Sequence, residues 1–195
     1  MEINKLSLEE KVAQLFMVGV NEKDIDGVID LIQNYKIGGV VIYRRNYDNY
    51  KEMVEVVNKI KKANQKNNIP IFISTDQEGG RVNRMPDDVM KLESAMKTAK
   101  TADIEIVKQS GKIIGEMLNK TGISINYGPV LDIKRFQENH AIGDRCYGET
   151  IDEVEKICNT CYARNKKTKC YSSNKTFSGS WINTKRFTFS NSKNI

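Results

Sequence analysis

No run of apolar residues in this chain is long enough to cross a bilayer, so it offers no membrane-spanning helix. It also has no phosphate loop and no strand-linked GxGxxG, which leaves any α/β pattern without the usual signature of nucleotide binding. Histidine and tryptophan occur once each. The lone His140 lies in a loop stretch and reads as a solvated or packing residue rather than a catalyst. The opening MEINKLSLEEKV lacks the basic-then-apolar order of a signal peptide, so a cytoplasmic protein is expected.

One region lacks acidic residues altogether. From Cys158 to Ile195 there are eight Lys or Arg, no Asp or Glu, and neither Leu nor Val. Residues 1–157 hold 23 basic and 25 acidic side chains, so the net charge of +6 belongs to the tail. The expected division is therefore a domain over residues 1–157 and a basic tail, rich in Asn, Ser and Thr, over 158–195. With so little to bury, the tail is expected to be disordered. Three of the four cysteines fall in it, but Cys158 and Cys161 form a CxxC that only Cys170 follows, so no structural zinc, other metal or cofactor is expected. The basic run Arg164 to Lys169 suits nonspecific contact with nucleic acid and no specific one.

The rest of the chain alternates. Leu6 to Glu10 suggests a short capped helical turn, and VAQLFMVGV, Val12 to Val20, ends as a strand. Asn21 is placed to cap a helix carrying Ile25, Val28, Ile29 and Ile32. Val40 to Tyr43 is a second strand, with Arg44 to Asn46 as its polar exit, and Tyr50, Val54, Val57 and Ile60 give the next helix an apolar face. Pro70 opens a third strand, a short helix is expected from Asp88, and Thr101 is expected to cap a longer helix that Gly122 ends. Ile123 to Asp132 reads as a fourth strand with a polar end. Apolar, unalternated strands separated by helices imply a parallel α/β sheet, either doubly wound or part of a (β/α)8 barrel.

The third strand gives the clearest chemical signal. Ile71 to Thr75 runs into DQEGGRVNR, with Asp76 at the strand's carboxyl end, Glu78 two places on, a Gly79–Gly80 turn, and Arg81 and Arg84 as planar donors. Asp132 ends the fourth strand, and a long loop leads from it to IGDRCYGE, Ile142 to Glu149. In a barrel such strand ends share one rim, where active sites lie.

DQEGGRVNR, then YGPVLDI, then AIGDRCYGE resemble the catalytic barrel of glycoside hydrolase family 3, nearest its bacterial β-N-acetylhexosaminidase branch, and SLEEKVAQLFMVG and IGGVVIYRRN fit the same pattern. The resemblance covers residues 1–157 and implies the N-terminal half of a (β/α)8 TIM-type barrel. It also implies retaining hydrolysis of a β-linked N-acetylglucosaminide, such as a cell-wall fragment, through a covalent glycosyl-enzyme. By resemblance, Asp76 would accept hydrogen bonds from sugar hydroxyls, while Arg84 and Arg145 would fix the sugar and hold the acid. Arg81 is either a ligand contact or a strand-end salt bridge, Asp132 either binds substrate or braces its loop, and Glu78 is structural.

The family's acid/base loop, KHFPGHG followed by DSH, should come after the fifth strand, and the nucleophile later still. Neither is in this sequence, so no catalytic residue is assigned. In the loop's place stands KCYSSNKTFSGSWINTKRFTF, Lys169 to Phe189. Legal codons for that string, read one nucleotide later, spell NVIPVIKHFPGHGLTQKDSH. A single-nucleotide frameshift near Ile157, and hence an inactive fragment, is therefore expected. Open barrel edges imply self-association. The alternative reading is a noncatalytic sugar-binding module with a nucleic-acid-binding basic tail.

Overall fold

The computed structural model describes residues 3–134, 140–157 and 171–172. Within the tail only Tyr171 and Ser172 are described, and they form a strand rather than the expected disorder; the CxxC and the basic run at 164–169 lie outside the described set.

Strands β1 (Met17–Gly19), β2 (Gly39–Val41), β3 (Phe72–Thr75), β4 (Ile125–Asn126) and β5 (Tyr171–Ser172) form one sheet in sequential order. All four pairings are parallel, with Met17 beside Gly39, Val40 beside Ile73, Ser74 beside Ile125 and Asn126 beside Ser172. A doubly wound sheet reverses its strand order at a switch point, whereas a barrel adds each strand beside the last. The sequential order therefore decides for the barrel. It also includes one strand more than the four read from the sequence, because Tyr171 and Ser172 pair with β4.

The helices are α1 (Leu8–Ala13), α2 (Asp26–Asp30), α3 (Tyr50–Ala63), α4 (Ala95–Lys100), α5 (Ile104–Thr121) and α6, described over 151–157. α1 starts with a capping box in which Ser7 accepts from the Glu10 amide and the Glu10 side chain accepts from the Ser7 amide. α3 buries Met53, Val57, Ile60 and Ala63; α5 buries Val107, Gly111, Ile114 and Leu118. These apolar faces meet Val18, Val40 and Ile73, which share a register row on one side of the sheet, to build the main core. The other side carries Met17, Gly39 and Ser74; a Cβ on Gly39 would lie 2.6 Å from the Met17 methyl, so the glycine makes room for that side chain.

Four expectations are corrected. Asn21 does not cap a helix: its carbonyl accepts from the Asp24 amide in a turn, and α2 begins only at Asp26. No helix starts at Asp88, because its carboxylate instead accepts from the Tyr50 amide, 3.1 Å away at the start of α3. Asp103, not Thr101, caps α5; the Thr101 hydroxyl donates to the Thr98 carbonyl at 2.7 Å and closes α4. β4 spans only Ile125–Asn126, and the chain then leaves the sheet as a loop containing a cis Gly128–Pro129 bond.

Candidate sugar-binding site

The site is built at the carboxyl ends of β2, β3 and β4. Asp76 follows the last residue of β3, and Arg84 returns to it across the loop, with Nη2 2.7 Å from Oδ2 and Nε on the other oxygen. Both side chains are largely shielded from solvent. The paired carboxylate raises the pKa of Arg84 above the usual guanidinium range, and burial opposes that rise. Arg84 therefore stays charged at any working pH and holds Asp76 in one orientation.

Two residues away a second pair forms. Arg145 Nε and Nη2 lie 2.8 and 2.7 Å from the two oxygens of Glu78. This pair is deeper, with side chains 11% and 4% exposed, so losing either partner would leave a charge nearly out of water. The Glu78 hydrogen bond raises the Arg145 pKa. Each arginine also feels the other pair's carboxylate, which joins the two pairs into one electrostatic cluster.

The loop that brings these groups together depends on its glycines and on a buried amide. Gly79 and Gly80 have φ of 92° and 55°, and a Cβ on Gly79 would sit 2.5 Å from the Glu93 carbonyl oxygen. Only glycine suits both that backbone and that approach. Gln77, 1% exposed, accepts from the Arg84 amide at 2.6 Å and donates to Asn83 at 2.9 Å. Its own backbone is clamped by Asn126, whose side chain accepts from the Gln77 amide at 2.9 Å and donates to its carbonyl at 3.0 Å. Neither Gln77 nor Asn126 was singled out from the sequence. The available signal was an amide placed among charged residues at a strand exit, and its partner lies 49 positions away.

The β2 exit supplies a third wall. The Tyr43 ring lies 4.4 Å from the Arg45 guanidinium and 5.9 Å from that of Arg84. Tyr47, fully buried, donates to the Arg84 carbonyl at 2.8 Å. Burial pushes its hydroxyl pKa up, so it remains a donor.

The remaining sequence candidates take clear places. Arg81 turns away from Asp76 to the loop at 140–142, where Nη2 donates to the carbonyls of His140, Ala141 and Ile142, and its Nε lies 3.5 Å from Asp144. Asp132 is 1% exposed in the segment after β4, near enough to Cys146 for its charge to help burial raise that thiol's pKa. His140 contributes its carbonyl to the Arg81 contact, and the residue is exposed. Among the described residues no cluster of His, Cys, Asp and Glu could hold a metal ion, and no helix is long and apolar enough to cross a membrane.

The model of the glycosyl hydrolase family 3 N-terminal domain matches residues 7–184. The chain belongs to that family. Its similar proteins include beta-hexosaminidase A of Pseudoalteromonas piscicida, 31% identical over 135 residues, or 66% of this chain and 22% of that protein. Beta-hexosaminidase LpqI of Mycobacterium tuberculosis is 30% identical over 148 residues, 73% of this chain and 36% of that protein. Among solved structures, the family 3 β-N-acetylglucosaminidase of Paenibacillus sp. str. FPU-7 superposes with a TM-score of 0.84 at 30% identity, covering 90% of this chain and 34% of that one. The chain thus spans between about a fifth and about a third of the curated relatives' length. The family 3 match takes in the sequence on both sides of the composition change at residue 158.

Proposed function

We propose that this chain is the sugar-holding part of a β-N-acetylhexosaminidase that acts on a β-linked N-acetylglucosaminide. The observation that carries the reading is the Asp76–Arg84 pair at the end of β3, locked in geometry and set beside the Glu78–Arg145 pair. An oriented carboxylate accepts from vicinal sugar hydroxyls, and the neighbouring guanidinium groups donate to sugar oxygens. The names of the relatives support an N-acetylhexosamine as the sugar.

In the whole enzyme, hydrolysis would be retaining, with an acid/base loop and a carboxylate nucleophile. This sequence contains no KHFPGHG, so the chain is proposed to hold a sugar without turning it over. The frameshift reading rests on the next-frame spelling of the motif and on the change of composition at residue 158. The work proposed for the intact enzyme is turnover of cell-wall fragments in the cytoplasm, and the open sheet edges of this chain favour self-association.

Two measurements test this. Nucleotides 3′ of codon 157 should spell KHFPGHG in the alternate frame; any other reading removes the frameshift. The chain should bind N-acetylglucosamine, lose that binding in Asp76→Ala, and release nothing from an aryl N-acetylglucosaminide. Turnover that disappears in Asp76→Ala would overturn the noncatalytic reading, and a folded chain that binds no N-acetylglucosamine would overturn the sugar site.

A further inference from the structure

The loop that delivers Arg145 is held from outside by a residue that does not point at the Asp76 pair. Arg81 leaves the Gly79–Gly80 turn and places Nη2 2.8 Å from the carbonyls of His140 and Ala141 and 3.0 Å from that of Ile142. Three carbonyls converge on one cationic nitrogen that carries two hydrogens, so one hydrogen is shared between two of them, and the charge favours that sharing. The loop is shaped to receive it. Gly143 has φ of 53°, and a Cβ there would come within 3.1 Å of the same nitrogen. One of the three acceptors is shared: the Ala141 carbonyl also takes a hydrogen bond from Arg145 Nη1 at 3.0 Å. The Arg145 amide donates to Ile142, another carbonyl that Arg81 holds, at 3.0 Å.

We propose that Arg81 is a positioning residue of the sugar site, fixing the 140–145 loop and through it the Arg145 guanidinium. This rests on the reading of Arg145 as a sugar contact. The coupling needs no contact between Arg81 and ligand. Arg81 and Arg145 share the Ala141 oxygen, and residues of one hydrogen-bond network respond to substitution non-additively. Glu78 and Arg81 leave the same β3 exit loop, so one short segment holds Arg145 in two ways, directly at its guanidinium through Glu78 and indirectly through Arg81 at the Ile142 carbonyl that the Arg145 amide also bonds. Arg81→Lys would keep one cationic nitrogen for the carbonyls but lose the second nitrogen, Nε, that faces Asp144.

The test is a double-mutant cycle on N-acetylglucosamine affinity, read by NMR titration of the full chain. Arg81→Ala and Arg145→Ala should each weaken binding about tenfold, the value of one charged hydrogen bond, and the double variant should be no weaker than Arg145→Ala. Gly143→Ala, which disturbs the socket and leaves Arg81 in place, should weaken binding in the same direction. Losses that multiply in the double variant would assign Arg81 a direct ligand contact, and an unchanged affinity in Arg81→Ala would remove its role; either overturns the proposal. A second readout needs no sugar. The Arg145 Nε–H resonance, protected by Glu78, should exchange faster in Arg81→Ala while the Val40 amide in β2 keeps its rate. If the unsubstituted chain binds no sugar, the site reading fails by itself. The Nε–H signal then decides the coupling, and an unmoved signal overturns it.

Discussion

At the strand exits, each of the five arginines at positions 44, 45, 81, 84 and 145 is engaged by a carboxylate, a carbonyl or an aromatic ring. At the first edge of the sheet the apolar side chains are left without cover. Leu8, Leu15 and Phe16 are 71%, 84% and 57% exposed, and α1 buries no residue at all. The two buried ion pairs of the rim are satisfied locally: Asp76 meets Arg84 and Glu78 meets Arg145, all from loops at the strand exits. The β1 flank presents apolar surface of the kind a closed barrel places against its last strand and helix. Ion pairs can thus be closed within part of a barrel, while the apolar shell around them is not.

That contrast can be tested by substitutions of falling expected effect. Glu78→Ala strands Arg145 in a nearly dry site and should cost about 3 kcal/mol in chemical denaturation, the usual result of removing one partner of a buried pair. A cost near zero would show that the rim is wetter and less finished than its geometry. Gly79→Ala forces a side chain onto a backbone with φ of 92° and against the Glu93 carbonyl, at about 2 kcal/mol by the same measurement.

Alkaline pH should act on the rim's second layer. Burial raises the Cys146 thiol above its unfolded value of about 8.5, so its contribution is full below that pH. As pH climbs from there through the raised folded value, the unfolded chain ionises first and stability falls. Cys146→Ala should flatten that limb in a series of denaturation curves, and an identical limb would show that the thiol is not the group responsible. The smallest stability change is expected on the flank. Phe16→Ser should shift unfolding by no more than about 0.5 kcal/mol, as exposed positions do, yet reduce self-association in sedimentation. Unchanged association would place the sticky surface elsewhere.

Much of this was readable in the sequence for local reasons. Ser7 and Glu10 sit three apart, and the capping box they form needs nothing beyond one helical turn. Gly122 ends α5 in the left-handed conformation that its position after the periodic face suggested. Two of the misreadings share a cause. Asp88 and Thr101 carry helix-capping chemistry, but Asp88 spends it on α3, 38 residues earlier in the chain, and Thr101 on closing α4. A capping side chain announces that it will bond an amide or carbonyl, not which one.

The sequence by itself determined the alternation of strands and helices, the apolar faces of α3 and α5, and the acid, glycines and arginines delivered at the end of β3. Periodicity and turn chemistry act over a few residues and are written where they act. Only the tertiary structure decided that the sheet runs in sequential order, that Arg84 takes Asp76 while Arg145 takes Glu78, and that Arg81 serves the loop rather than the acid beside it. Those choices join residues as many as 67 positions apart. They are set by strand register, which places Thr75 beside Asn126 and so brings the exits of β3 and β4 into bonding reach.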